Sequence, residues 1–195
     1  MKQDIILAGV GGQGILSIAY VIDNAALQAG LNFKQAEVHG MAQRGGAVQS
    51  HLRLSQEPIF SELIPRGRAD LILSVEPLEA LRYVGSLHPE GRLVTSRKPF
   101  VNIPDYPDLE DVLAAIRGFG ERAVIIDSES LAREAGSARS QNMVMLGAAS
   151  PDLIVSGALL QDHIRALFLP KGEELVEMNL KAFRLGREAS ATARS

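Results

Sequence analysis

Through the first two thirds of the chain, short continuous apolar runs alternate with apolar residues at helical spacing. Residues 5–8 form one such run, after which Ile15, Ile18, Ala19, Ile22, Ala25, Ala26 and Ala29 recur at the intervals of a single helix face. Gly30 stands where a helix commonly ends, since glycine accepts the left-handed backbone of a cap, and 32–38 is predicted as a strand. Over 47–54 the period falls to two. Val48, Ser50, Leu52 and Leu54 alternate with Gln49, His51 and Arg53, the pattern of a strand half-exposed on one face. Next come a buried-type strand at 71–75, a helix at 77–83 opened by Pro77, a strand at 93–95, a helix at 108–117, a strand at 124–126 and a helix opened by Ser128. Pro99, Pro104 and Pro107 forbid a regular helix between 98 and 108 and predict an irregular connection. Helical patterns at 142–149, 156–168 and 173–186 follow, and the small residues of 189–195 predict a flexible tail. This order predicts one α/β domain: a three-layer sandwich with a mainly parallel, Rossmann-like sheet and a helical C-terminal third.

Chemistry concentrates in two loops of this scheme. The first reads Gly9-Val10-Gly11-Gly12-Gln13-Gly14, between the first strand and the first helix. Its glycines allow a tight turn and close approach of a ligand to the backbone, and the helix behind offers free N–H groups to an anion. Ile15-Leu16 follows where a P-loop needs Lys and Ser or Thr, so ATP hydrolysis is disfavoured. Gly9, Gly11 and Gly14 also satisfy the dinucleotide fingerprint, with Glu37 near the end of the next strand as the acid for a ribose hydroxyl. The second loop gathers Glu37, His39, Gly40, Gln43, Arg44, Gly45 and Gly46. Arg44 suits a bidentate pair with carboxylate or phosphate and His39 a proton transfer near neutral pH, while both equally suit fixing the loop. Glu76 and Glu79 fall at the end of a parallel strand, the edge where open α/β sheets bind ligands or partners and where acidic charge also favours a helix N-terminus. Asn142 is read as a helix cap ahead of a partner contact, and Arg66 and Arg68 as solvated charge ahead of a phosphate site.

Composition narrows the field. The 195 residues contain no cysteine, so the chain holds no iron–sulfur cluster of its own. His39, His51, His88 and His163 show no metal-ligand spacing. A net charge of −3 gives no basic footprint for nucleic acid, and no apolar run approaches the length of a membrane span. With a strand starting so close to Met1 there is no room for a signal peptide, and a cytoplasmic location is expected.

The two loops, together with 69–82, 142–148 and 179–186, resemble the gamma-type domain of the 2-oxoacid:ferredoxin oxidoreductases, and within it the small subunits of the indolepyruvate type. The resemblance covers residues 1–188 and leaves 189–195 as the tail. It implies a subunit of an enzyme that oxidatively decarboxylates an arylpyruvate to acyl-CoA and CO2 and reduces ferredoxin. Thiamine diphosphate, Mg and [4Fe-4S] clusters would then reside on a larger alpha subunit, with coenzyme A as acyl acceptor and no cofactor bound by this chain alone. The loop residues would line an intersubunit site. An NAD(P)-binding oxidoreductase and a non-catalytic module for a phosphorylated metabolite remain as alternatives.

Overall fold

A computed structural model describes residues 1–39, 45–101 and 103–194. Among them are six strands, β1 (Lys2–Val10), β2 (Asn32–His39), β3 (Ala47–Ser55), β4 (Ala69–Ser74), β5 (Leu87–Ser96) and β6 (Ala123–Ile126). The α-helices are α1 (Ile15–Gln28), α2 (Pro77–Arg82), α3 (Leu109–Arg117), α4 (Ser128–Ala135), α5 (Gln141–Ala149), α6 (Gly157–Phe168) and α7 (Glu173–Ala193). The sheet order is β2-β3-β1-β4-β5-β6. β1, β4, β5 and β6 are mutually parallel, whereas β3 runs antiparallel to both β1 and β2.

The mainly parallel sheet is thus present, with one reversed strand inside it. A short connection from β2 returns the chain as a hairpin, and β3 rather than β2 then pairs with β1, from Lys2↔Ser55 to Val10↔Ala47. The polar face of β3 does not meet solvent freely. Residues 56–68 fold beneath it, with Arg53 donating to the carbonyls of Ser61 and Leu63 at 3.0 and 3.1 Å. Ile64 N–H donates to His51 Nδ1 at 2.9 Å, and burial, reinforced by Arg53, pushes the His51 pKa down so that this nitrogen remains an acceptor. Arg53 also pairs at 2.7 Å with the buried Asp4.

Two apolar cores join the sheet to the helical layers on either side of it. Ile5, Leu7, Leu71, Leu73, Val94 and Val124 face α1, α4, α5, α6 and α7. On the opposite face Ile6, Ile72 and Leu93 meet α2 and α3 in a smaller cluster. The runs that bury both faces, residues 5–8 of β1 and 71–73 of β4, are correspondingly apolar without alternation. The helical C-terminal third closes on itself where α5 crosses α7. A Cβ built at Gly147 would stand 1.9 Å from Phe183 O, and one at Gly186 equally close to Val144 O.

Three local expectations change. Asp127, not Ser128, caps α4, accepting from Ser130 N, while Ser128 is buried against Ser96 at 2.8 Å. Asn142 lies one residue inside α5 and does not cap it; its amide reaches across to Gly14 O at 3.3 Å. The residues expected to form a loose tail continue α7 to Ala193, with Ser190 buried and the Arg194 guanidinium paired to both carboxylate oxygens of Asp152.

Candidate functional site

The first glycine loop leaves β1 at the edge of the sheet where its parallel strands end. Gln13 N–H donates to Val10 O at 3.0 Å, and the Gln13 side chain folds back to accept from Val10 N at 2.8 Å, closing a tight turn. A Cβ at Gly9 would fall 2.7 Å from Ile15 Cδ1, and one at Gly14 2.5 Å from Asn142 Nδ2. Gly9 and Gly14 are therefore packing glycines. Gly14 (φ 75°) also starts α1 without a side-chain cap. Gly12 (φ 101°) is different: nothing lies within 4 Å of its missing Cβ, and it is exposed.

The described end of the second loop is fastened to the first through backbone hydrogen bonds. Gly11 N–H donates to Gly46 O at 2.8 Å, and Gly45 N–H to Gly11 O at 3.5 Å. Glu37 is exposed on β2, where it accepts from Gln35 Nε2 at 2.5 Å. His39 ends β2, and Gly40, Gln43 and Arg44 lie outside the described residues. Buried Asp23, on the adjoining turn of α1, has its pKa pushed up to about 7 by burial and then by the charge of Glu37.

Cavities flank Gly11 and Gly12 on both sides. The larger, about 500 Å³, is lined by Gly11, Gly12 and Gln13 of the loop, by Val75, by Lys98, Pro99 and Phe100, and by Glu129, Ala138, Arg139 and Gln141. The smaller, about 360 Å³, lies toward β3 and is lined by Val10, Ile15, Leu16 and Val48. Lys98 pairs with Glu129 at 3.2 Å, and Arg133 then Lys98 hold that carboxylate below its usual pKa. Arg139 is exposed and has no ion-pair partner among the described residues. A third concavity, about 310 Å³ between α6 and α7, is lined by Arg184 and by Arg165, which pairs with Glu173 and Glu177.

The sequence placed the glycines of the larger cavity and missed the rest of its lining. Lys98 and Phe100 sit in the proline-broken connection and Arg139 between two helices, where no periodicity marks them. Glu76 and Glu79 are buried at the start of α2, and Glu76 caps it by accepting from Glu79 N at 2.8 Å. Arg66 and Arg68 precede β4, at the edge of the sheet opposite the loops. The dinucleotide reading is weakened by topology. β3 stands between β1 and β2, so the strand bearing Glu37 is two spacings from β1, roughly 10 Å, instead of adjacent to it.

Comparison with known proteins bears on the same loops and strands. The chain is 37% identical over 200 residues to the indolepyruvate oxidoreductase subunit IorB of Thermococcus kodakarensis, covering 97% of each. It is 38% identical to the IorB subunit of Pyrococcus horikoshii, again over 97% of each. Among solved structures it is similar to the 2-oxoglutarate:ferredoxin oxidoreductase of Magnetococcus marinus, determined with 2-oxoglutarate, coenzyme A and succinyl-CoA bound. There the TM-score is 0.77 and the identity 26%, over 98% of this chain and 31% of that one. The pyruvate ferredoxin/flavodoxin oxidoreductase family matches residues 4–189, from the second residue past β1's start to the last turns of α7, and the chain belongs to that family.

Proposed function

We propose that the chain is the small subunit of a cytoplasmic 2-oxoacid:ferredoxin oxidoreductase of the indolepyruvate type. With a larger catalytic subunit it converts an arylpyruvate and coenzyme A to acyl-CoA and CO2, the electrons passing to ferredoxin. The relatives named as indolepyruvate oxidoreductase subunits, at nearly full coverage, support the substrate class. The observation that carries the role of this chain is the backbone clamp between its two glycine loops beside an open cavity edged by Lys98 and Arg139.

Iron–sulfur clusters require thiolates, and the sequence has none. Among the described residues no three His, Asp or Glu side chains are gathered as metal ligands. The residues therefore do not fit a cluster, and the proposal places the clusters, and with them thiamine diphosphate and magnesium, on the larger subunit. Coenzyme A does fit. Its phosphates match the positive charge of Arg139, which has no ion-pair partner among the described residues, and bare Gly12 lets a ligand reach the backbone. Bound there, coenzyme A supplies the thiol that accepts the acyl group; this chain binds and orients it. His39, Gly40, Gln43 and Arg44, beside the clamped Gly45–Gly46, are proposed to face the larger subunit.

The test is anaerobic co-purification of the chain with its partner from native cells, followed by ferredoxin reduction on addition of indolepyruvate and coenzyme A. A brown, active complex is expected; a colourless chain recovered alone would overturn the reading and revive a metabolite-binding module. In the active complex, Arg139→Ala should raise the KM for coenzyme A about tenfold, the loss of one charge-assisted hydrogen bond, and leave the KM for the 2-oxoacid in place.

A further inference from the structure

We infer that Glu76 and Tyr106 form a latch that fixes the 97–108 strap as one wall of the glycine-loop cavity, making both of them positioning residues for the ligand taken there. The inference rests on the coenzyme A reading above.

The strap links β5 to α3 without regular structure, and Pro99, Pro104 and Pro107 deny it any. Its ends are fixed. Arg97 N–H donates to Ile126 O at 2.8 Å, Lys98 N–H to Ser96 Oγ at 3.1 Å, and Asp108 caps α3. Between them, among the described residues, two bonds from the strap converge on a single atom, Glu76 Oε1. Phe100 N–H donates to it at 3.2 Å, and the Tyr106 hydroxyl makes a short bond to it. Burial, then the hydrogen bond to Glu76 and its charge, pushes the phenol pKa far up, so the Tyr106 hydroxyl stays a donor.

The anchor itself is held on several sides. Glu76 is 1% exposed, its second oxygen accepts from Glu79 N, and its backbone is locked to Ser74 Oγ on both sides. The residue type is informative. Helices α3 and α4 are capped by aspartate, the usual choice, while α2 is capped by the less favoured glutamate. Aspartate would cap α2 as well, but its side chain is one methylene too short to reach the strap too. The part of the strap held this way carries Lys98, Pro99 and Phe100, which line the same cavity as Gly11–Gln13, as does Val75 beside the anchor.

The test uses the assembled two-subunit enzyme with Tyr106→Phe and Glu76→Asp. Both variants should raise the KM for coenzyme A five- to twentyfold, with kcat and the KM for the arylpyruvate within twofold of wild type. Hydrogen exchange should quicken at least tenfold in the amides of Lys98, Phe100, Val101, Ile103, Asp105 and Tyr106, and not in β1 or α5. An unchanged KM for coenzyme A, or strap exchange equal to wild type in Tyr106→Phe, overturns the latch. If Glu76→Asp fails to fold, Tyr106→Phe alone decides, since it removes one oxygen and no cap. If the wild-type complex does not oxidise arylpyruvates, the functional reading falls while the exchange comparison still accepts or rejects the latch.

Discussion

Gly12 and Gly14 both hold positive φ, yet substitution should separate them. At Gly14 a methyl group meets Asn142 Nδ2 at 2.5 Å as well as an unfavourable backbone, whereas at Gly12 the space is open. Gly14→Ala is expected to destabilise by roughly 2–4 kcal/mol and Gly12→Ala by about 1 kcal/mol, measured by urea unfolding. Asn142→Ala in the Gly14→Ala background should recover part of the loss, the part due to collision. Asp23 makes a prediction of another kind. Its carboxyl has an ordinary pKa of 3.8 when unfolded and about 7 when folded, so folding favours its protonated form. The stability this group contributes is complete below pH 4 and disappears as pH rises through 7, a swing on the order of 4 kcal/mol. Asp23→Asn should remove that pH dependence, so that unfolding midpoints at pH 5 and pH 8 converge relative to wild type. Equal pH dependence in both proteins would contradict it.

Helix pairing sets the next level. At the α5–α7 crossing Gly147 and Gly186 each face the other helix's main chain, and backbone cannot rotate out of the way as a side chain can. Gly186→Ala or Gly147→Ala should therefore cost more than 3 kcal/mol and lower Tm by about 10 °C, checked by calorimetry. Elements whose sequence carries its own period were legible: α1, β3 and the runs of β1 and β4 follow from local pattern. What escaped depends on distant partners. Asp152 draws Arg194 in and extends α7 past Gly186, Gly14 takes Asn142 away from capping, and Glu76 organises a strap whose prolines announce only irregularity. The site was half legible for the same reason. Glycines mark a close-approach loop by themselves, but Lys98, Phe100 and Arg139 become neighbours of that loop only through sheet order.

In the whole molecule the two apolar cores are unequal. Helices α2 and α3 rest on the smaller, with few fully buried large side chains, while five helices share the larger. Native-state hydrogen exchange should accordingly show α2 and α3 opening at lower free energy than β1 or α5. The cavity lies across the boundary: the glycine loop, Arg139 and Gln141 belong to elements of the larger core, and the strap leads into α3 of the smaller. Heat would then disable the protein before melting it. Coenzyme A affinity should fall away several degrees below the calorimetric midpoint and return on cooling, because half of the binding site detaches with the weaker side of the sandwich while the rest stays folded.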